Sequence, residues 1–164
     1  MRLIVENNIL IYNDKRIPCA IGKNGITSNK VEGDGCTPSG IYNFTKIYFR
    51  ADKIKNISFQ IESSVINSDD GWCDDAKSSY YNQFIKFPFN FSAEKLFRDD
   101  DLYDIICVLN YNTNPIVPGK GSAIFLHICK PNFAGTEGCV AIEKKNILKL
   151  VNLIDFNTKL IIKV

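Results

Sequence analysis

Apolar and polar positions alternate over short stretches along most of the chain, and helical spacing shows clearly only near its end. Leu3 to Val5 and Ile9 to Tyr12 are two short apolar runs around Asn7 and Asn8, residues that tolerate the left-handed backbone of a tight turn, and they predict an opening hairpin. Ile17 to Ile21 predicts the next strand. Ile41 to Phe49 alternates cleanly, Ile57 to Ile66 less so, and Tyr103 to Leu109 is almost continuously apolar. Ser122 to Cys129 reads as a buried strand with His127 set among apolar residues; Cys139 to Ile142 and Lys159 to Val164 follow as two more. Ser92 suits a helix cap, with Glu94 favourable in the first turn, so a short helix is expected through Phe97. Ile147, Leu148, Leu150, Val151 and Ile154 fall at helical spacing and predict a helix over Lys144 to Ile154, with Lys144, Lys145 and Lys149 solvated. Gly22 to Gly40, Asn67 to Asn82, Asn110 to Gly121 and Lys130 to Glu137 read as loops. This pattern predicts a single, mainly β domain with two or three short helices.

Composition narrows the possibilities. At 164 residues the chain fits one domain with a real core, and 45% hydrophobic with 12% aromatic residues excludes a disordered protein. A net charge of +2, with basic residues scattered, gives no case for nucleic acid or for a polybasic membrane patch. Small substrates are the default, and oligomeric state is not legible. The first apolar run stops at Glu6, short of the roughly 7–15 residues of a signal-peptide core, and no run approaches the roughly 20 of a membrane span. If Met1 is the native start, the protein is expected in the cytoplasm. The six cysteines are then expected as free thiols. Without a CxxC pair and with one histidine, neither zinc nor any other metal or cofactor is expected.

The chemistry concentrates in Gly119 to Glu143. A strand, a loop and a second strand can bring His127 and Cys139, twelve positions apart, side by side. Little thiolate exists at neutral pH unless an imidazole takes the proton, so a Cys–His pair suits nucleophilic catalysis. Gly138 lets the backbone approach a substrate, and the N–H groups of Gly138 and Cys139 are candidates to hold an oxyanion. The competing reading is a core histidine and a cysteine serving as a small hydrophobe. In the Asn67–Asn82 stretch, Trp72, Asp74, Asp75, Tyr80 and Tyr81 can form an aromatic and anionic rim for a peptide bearing a free ammonium. Equally, they can be a surface loop pinned by Trp72, with the aspartates as turn residues. Asp34, Gly35 and Pro38 are ordinary turn punctuation, and Gly22 to Gly40 is expected to brace the wall of the site.

Several ordered motifs together resemble the L,D-transpeptidase (YkuD-type) catalytic domain. His127 followed by Thr136-Glu137-Gly138-Cys139-Val140 resembles its signature, Lys30 to Gly40 its EGDGxTPxG element, and Gly71 to Asp75 with Tyr81 and Asn82 the WCDD…YN block of one subfamily. Ser92 to Leu96 and Gly119 to His127 continue the likeness, which spans roughly residues 19 to 164. The resemblance implies a β-sandwich-type catalytic domain with Cys139 as nucleophile, His127 as base and Gly138 at the oxyanion site. Thr136, Trp72, Asp74, Asp75 and Tyr81 are the candidate substrate-binding residues. Two positions depart from the family pattern: Glu137 replaces a histidine, and Ala141 replaces an arginine thought to meet a substrate carboxylate.

The implied substrate is a peptidoglycan stem peptide or muropeptide. With no second histidine, a backbone carbonyl or water is expected to orient His127. Resolution of the Cys139 thioester by water makes an L,D-carboxypeptidase that trims tetrapeptides during murein recycling, the expectation that goes with a cytoplasmic enzyme. Resolution by an amine makes a transpeptidase or an exchange enzyme. A non-catalytic wall-peptide binding module is the third reading, and an intact Cys139 and His127 argue against it.

Overall fold

The computed structural model describes residues 1–164. The opening hairpin forms as expected. β1 (Arg2–Glu6) pairs antiparallel with β2 (Ile9–Tyr12), and Asn7 and Asn8 take φ of 49° and 59° in the turn between them. β3 (Lys15–Ala20) follows, then the short parallel pair β4 (Ile26–Thr27) and β5 (Thr37–Pro38) inside the glycine-rich loop. β6 (Gly40–Phe49) is the longest strand. Of Ile57 to Ile66 only β7 (Ser63–Val65) pairs; Ile57, Phe59 and Ile61 pack on the core without a ladder. β8 (Asp70–Cys73), β9 (Phe84–Lys86) and β10 (Ala93–Lys95) form a separate three-stranded sheet with β8 in the middle. β11 (Ile105–Leu109), β12 (Phe125–Ile128), β13 (Val140–Ile142), a seven-residue helix α1 (Lys144–Leu150) and β14 (Lys159–Ile162) complete the chain.

The helix expected over Ser92–Phe97 is instead β10, because Ala93, Glu94 and Lys95 pair antiparallel with Cys73, Trp72 and Gly71. A local capping signal lost to a non-local ladder. The C-terminal helix is real but ends at Leu150, where the Asn152 side chain donates to the Leu148 carbonyl and closes the last turn. Ile147, Leu150, Val151 and Ile154 still bury the face that the spacing marked. The remaining helical element is one 3-10 turn, Pro131–Phe133. No helix is long and apolar enough to cross a membrane.

The large sheet runs β11-β12-β13-β3-β2-β1-β14-β6-β7, and β11 also pairs with β6. Two strands turn the corner between its layers. Lys15 to Pro18 of β3 pair with β2, whereas Cys19 and Ala20 pair with β13. Gly40 to Asn43 of β6 pair with β14, and Phe44 to Phe49 with β11. The result is a sandwich whose hydrogen bonding closes around eight strands, leaving few free edges. Its main core holds 23 buried residues, to which α1 contributes Ile147 and Leu150.

A second cluster of nine buried residues lies on the outer face of β11 and β12, beneath the three-stranded sheet. Strand alternation divides the two cores: Leu126 and Ile128 point into the main one, Phe125 and His127 outward. Burial on both faces explains why Ser122–Cys129 and Tyr103–Leu109 are apolar without a period of two.

Candidate active site

β12 and β13 are parallel neighbours, with Leu126 opposite Val140 and His127 opposite Ala141. Cys139, just before β13, therefore shares the outer face with His127 and Ala141, two positions along the adjacent strand. Strand geometry puts the two Cα atoms roughly 8 Å apart, a span that a thiol and an imidazole aimed at each other can close. Both line one cleft of about 400 Å³. The parallel crossover is the Lys130–Glu137 loop with its 3-10 turn.

The residue ahead of Cys139 is held tightly. Gly138 has φ of 143°, and a Cβ there would lie 2.9 Å from the Cys36 carbonyl oxygen, so this backbone accepts only glycine. The Thr136 hydroxyl donates to the Cys139 carbonyl at 2.6 Å and accepts the Gly138 N–H at 3.1 Å. Thr37 reaches the same carbonyl at 3.3 Å, and the Gly22 N–H donates to Thr37 at 2.7 Å. The Gly22–Gly40 loop thus braces the wall of the site. Two expectations change here. Gly138 contributes its shape, because its N–H is already engaged, and the Cys139 N–H is left as the free donor. Thr136 lines the cleft, but its hydroxyl proton is committed within the turn, where it holds the Cys139 backbone.

Opposite the thiol, Ala123 takes an unusual positive φ of 52°, and its carbonyl accepts the Cys139 S–H at 3.0 Å. The Phe125 N–H points at the same sulfur at 3.3 Å. Asn82 fixes this arrangement. Its side-chain oxygen accepts both the Ala123 N–H and the Trp72 indole N–H at 3.0 Å, while its amide donates to the Tyr111 and Asn112 carbonyls.

His127 donates from Nδ1 to the Ile128 carbonyl at 2.8 Å, the backbone partner expected in place of a second histidine. With Nδ1 carrying the proton, Nε2 is free to act as a base. Tyr103 packs edge-on against the imidazole, centroids 5.2 Å apart, and donates its hydroxyl to Glu94 at 2.6 Å. Burial pushes the His127 pKa down to about 4, against hydrogen bonding to backbone carbonyls that raises it. Burial, and secondarily the Glu94 charge, lifts the Cys139 thiol to about 12. The resting pair is therefore neutral thiol and neutral imidazole, and no hydrogen bond yet joins them.

The substrate-binding expectations divide. Asp74 lines the cleft, with its Oδ1 buried and without a hydrogen-bond partner. Trp72 does not form a rim: it is buried, packs T-shaped on Phe125 and braces Asn82. Asp75 accepts the Lys77 N–H in a surface turn, and neither it nor Tyr80 lines the cleft. Tyr81 is buried, donating to Glu32 and accepting the Gly121 N–H. Glu32, Glu94, Arg98, Tyr103, Ser122 and Lys130 line the cleft without having been singled out. Charged residues within the recognised motifs were the available signal for Glu32 and Glu94; nothing local marked Arg98 or Lys130. Glu137 is exposed at the rim and ion-paired with Lys23 at 2.8 Å, and Ala141 is fully buried. All six cysteines are free thiols.

A buried cysteine and histidine on adjacent strands, with a free backbone N–H at the cysteine, form an arrangement able to support cysteine-dependent acyl transfer. The chain belongs to the L,D-transpeptidase catalytic domain (YkuD) family, whose model matches residues 1–162. That family is cysteine-dependent and acts on peptidoglycan peptides. A comparison with curated proteins finds no match.

Proposed function

We propose that this protein is an L,D-carboxypeptidase that removes the terminal D-alanine from peptidoglycan tetrapeptides through a Cys139 thioester. The observation that carries the chemistry is the placement of Cys139 and His127 on one face of two parallel strands, at the floor of one cleft. As Sγ attacks the carbonyl of the L-centre, its proton leaves the Ala123 carbonyl for Nε2 of His127. The Cys139 N–H receives the developing oxyanion. The imidazolium then protonates the departing amine, and the D-amino acid leaves a thioester on Cys139. Water attacks the thioester as His127 accepts its proton, and the tripeptide carboxylate departs with the thiol restored.

A cleft of about 400 Å³ falls within the range of small-ligand sites, roughly 300–1,000 Å³, and has room for one peptide terminus. Glu32, Asp74 and Glu94 supply negative charge fit for the free ammonium of a diaminopimelate side chain, with the unpartnered Asp74 Oδ1 the strongest claim. A second reading, transpeptidation or D-amino-acid exchange, is favoured by a neighbouring depression that shares Leu102 and Lys130 with the cleft and has room for an acceptor. Intact-protein mass spectrometry after an acid quench tests the covalent step. Both readings expect wild type to gain the mass of a tripeptidyl group and Cys139→Ala to gain none; an adduct on Cys139→Ala contradicts them.

A further inference from the structure

Two cations line the cleft, Arg98 and Lys130. Arg98 is prepared to meet a carboxylate. Asp100 takes its Nε and one terminal nitrogen at 2.8 and 2.6 Å, which fixes the plane of the guanidinium. The group lies over the Tyr103 ring at 5.3 Å. Its other terminal nitrogen, Nη1, makes no hydrogen bond within the protein, so two N–H donors remain for a ligand. Lys130, unlike Arg98, makes no ion pair within the protein.

The order of groups along the cleft gives the cation its ligand. Arg98 stacks on Tyr103, and Tyr103 packs edge-on against His127. At the other side, Glu32 accepts from Ser122, next to Ala123 and the thiol. In the proposed reaction the leaving amine takes its proton from His127, so the leaving residue lies on the His127 side. Its carboxylate is one carbon away from that amine. We infer that Arg98, assisted by Lys130, binds the terminal carboxylate of the leaving D-amino acid, and so makes the enzyme act at a free C-terminus. This rests on the proposed peptide-cleaving reading. Arg98 touches substrate here, whereas Asp100 positions it.

The test compares a tetrapeptide ending in a free carboxylate with the same peptide ending in an amide, for wild type, Arg98→Gln and Arg98→Lys. Wild type is expected to prefer the acid, and Arg98→Gln to lower the acid-to-amide ratio of kcat/KM by about 10–100-fold, the loss of a charge-assisted pair. Arg98→Lys should recover part of that ratio, since it restores charge without the fork. Direct binding to the inactive Cys139→Ala protein, with and without Arg98→Gln, should show the same difference without turnover. If wild type cleaves neither peptide, the proposed reaction fails before Arg98 is tested, although the binding comparison still reports on it. If wild type cleaves but Arg98→Gln lowers acid and amide equally, or binding of the acid is unchanged, Arg98 is structural and the inference is overturned.

Discussion

At the scale of residues, Cys139 and His127 rest uncharged. Each is buried enough to resist its ionised form, and the thiol proton is parked on the Ala123 carbonyl. In the proposed reaction, proton transfer is thereby tied to attack on substrate. Cys139→Ala and His127→Ala should each lower turnover by at least about 10³-fold while the fold persists, and the double variant should be scarcely worse, since the pair acts in one step. Cys36→Ala and Cys73→Ala should stay active, because neither thiol lines the cleft; steady-state kinetics checks all five. The shifted histidine also makes a pH prediction. As pH falls from the ordinary 6.5 toward about 4, the unfolded chain takes up a proton that the folded imidazole refuses. Stability should decline across that window by up to about 1.4 kcal/mol per pH unit, and His127→Ala should flatten the decline. Urea titrations at several pH values measure it. The acid limb of kcat/KM should likewise sit near 4; a limb near 6.5 would mean an exposed, ordinary imidazole.

At the scale of elements, the strand–loop–strand from Phe125 to Ile142 was legible because its ends carry a histidine, a glycine and a cysteine in apolar surroundings. Its parallel sense was not, since periodicity does not reveal the direction of pairing. The Trp72 segment divided for a related reason. Aromatic and acidic residues in a polar stretch read equally as rim or packing, and only the pairing of β8 with β9 and β10 turned Trp72 inward and Asp74 toward the cleft. The helix expected at Ser92 failed in the same way, and with it the role of Glu94 beside Tyr103. The turn at Thr136–Cys139 supports a sharper prediction. Gly138→Ala adds a Cβ 2.9 Å from the Cys36 carbonyl at a φ of 143°, and should cost about 1–3 kcal/mol of stability together with most of the activity. Thr136→Val keeps the shape and removes the hydroxyl bridge, so kcat should fall about 10-fold or more with KM little changed; a selective rise in KM would make Thr136 a substrate ligand after all.

At the scale of the whole molecule, the closed arrangement of eight strands leaves one face of β11, β12 and β13 free to be roofed by the small sheet, and the cleft opens where that roof ends. The cysteines follow the same layering: Cys19 and Cys107 fill the main core, Cys139 lies in the second cluster beneath the roof, Cys73 is buried within the roof's middle strand, and none is bridged. Denatured without oxidation, the protein should titrate six thiols, and two or fewer would contradict the structure. The charge pattern of the cleft, with Glu32 beside Ser122 and both Glu94 and Arg98 beside Tyr103, was not legible, because Glu32, Asp74, Glu94, Arg98 and Lys130 meet only through the fold. The central claim is that water resolves the thioester formed on Cys139, and product analysis with a tetrapeptide ending in D-alanine tests it most directly. D-alanine and tripeptide should appear together, at similar rates with or without excess of a different D-amino acid. A product that is mainly exchanged tetrapeptide or cross-linked dimer would contradict the claim and make the enzyme a transpeptidase.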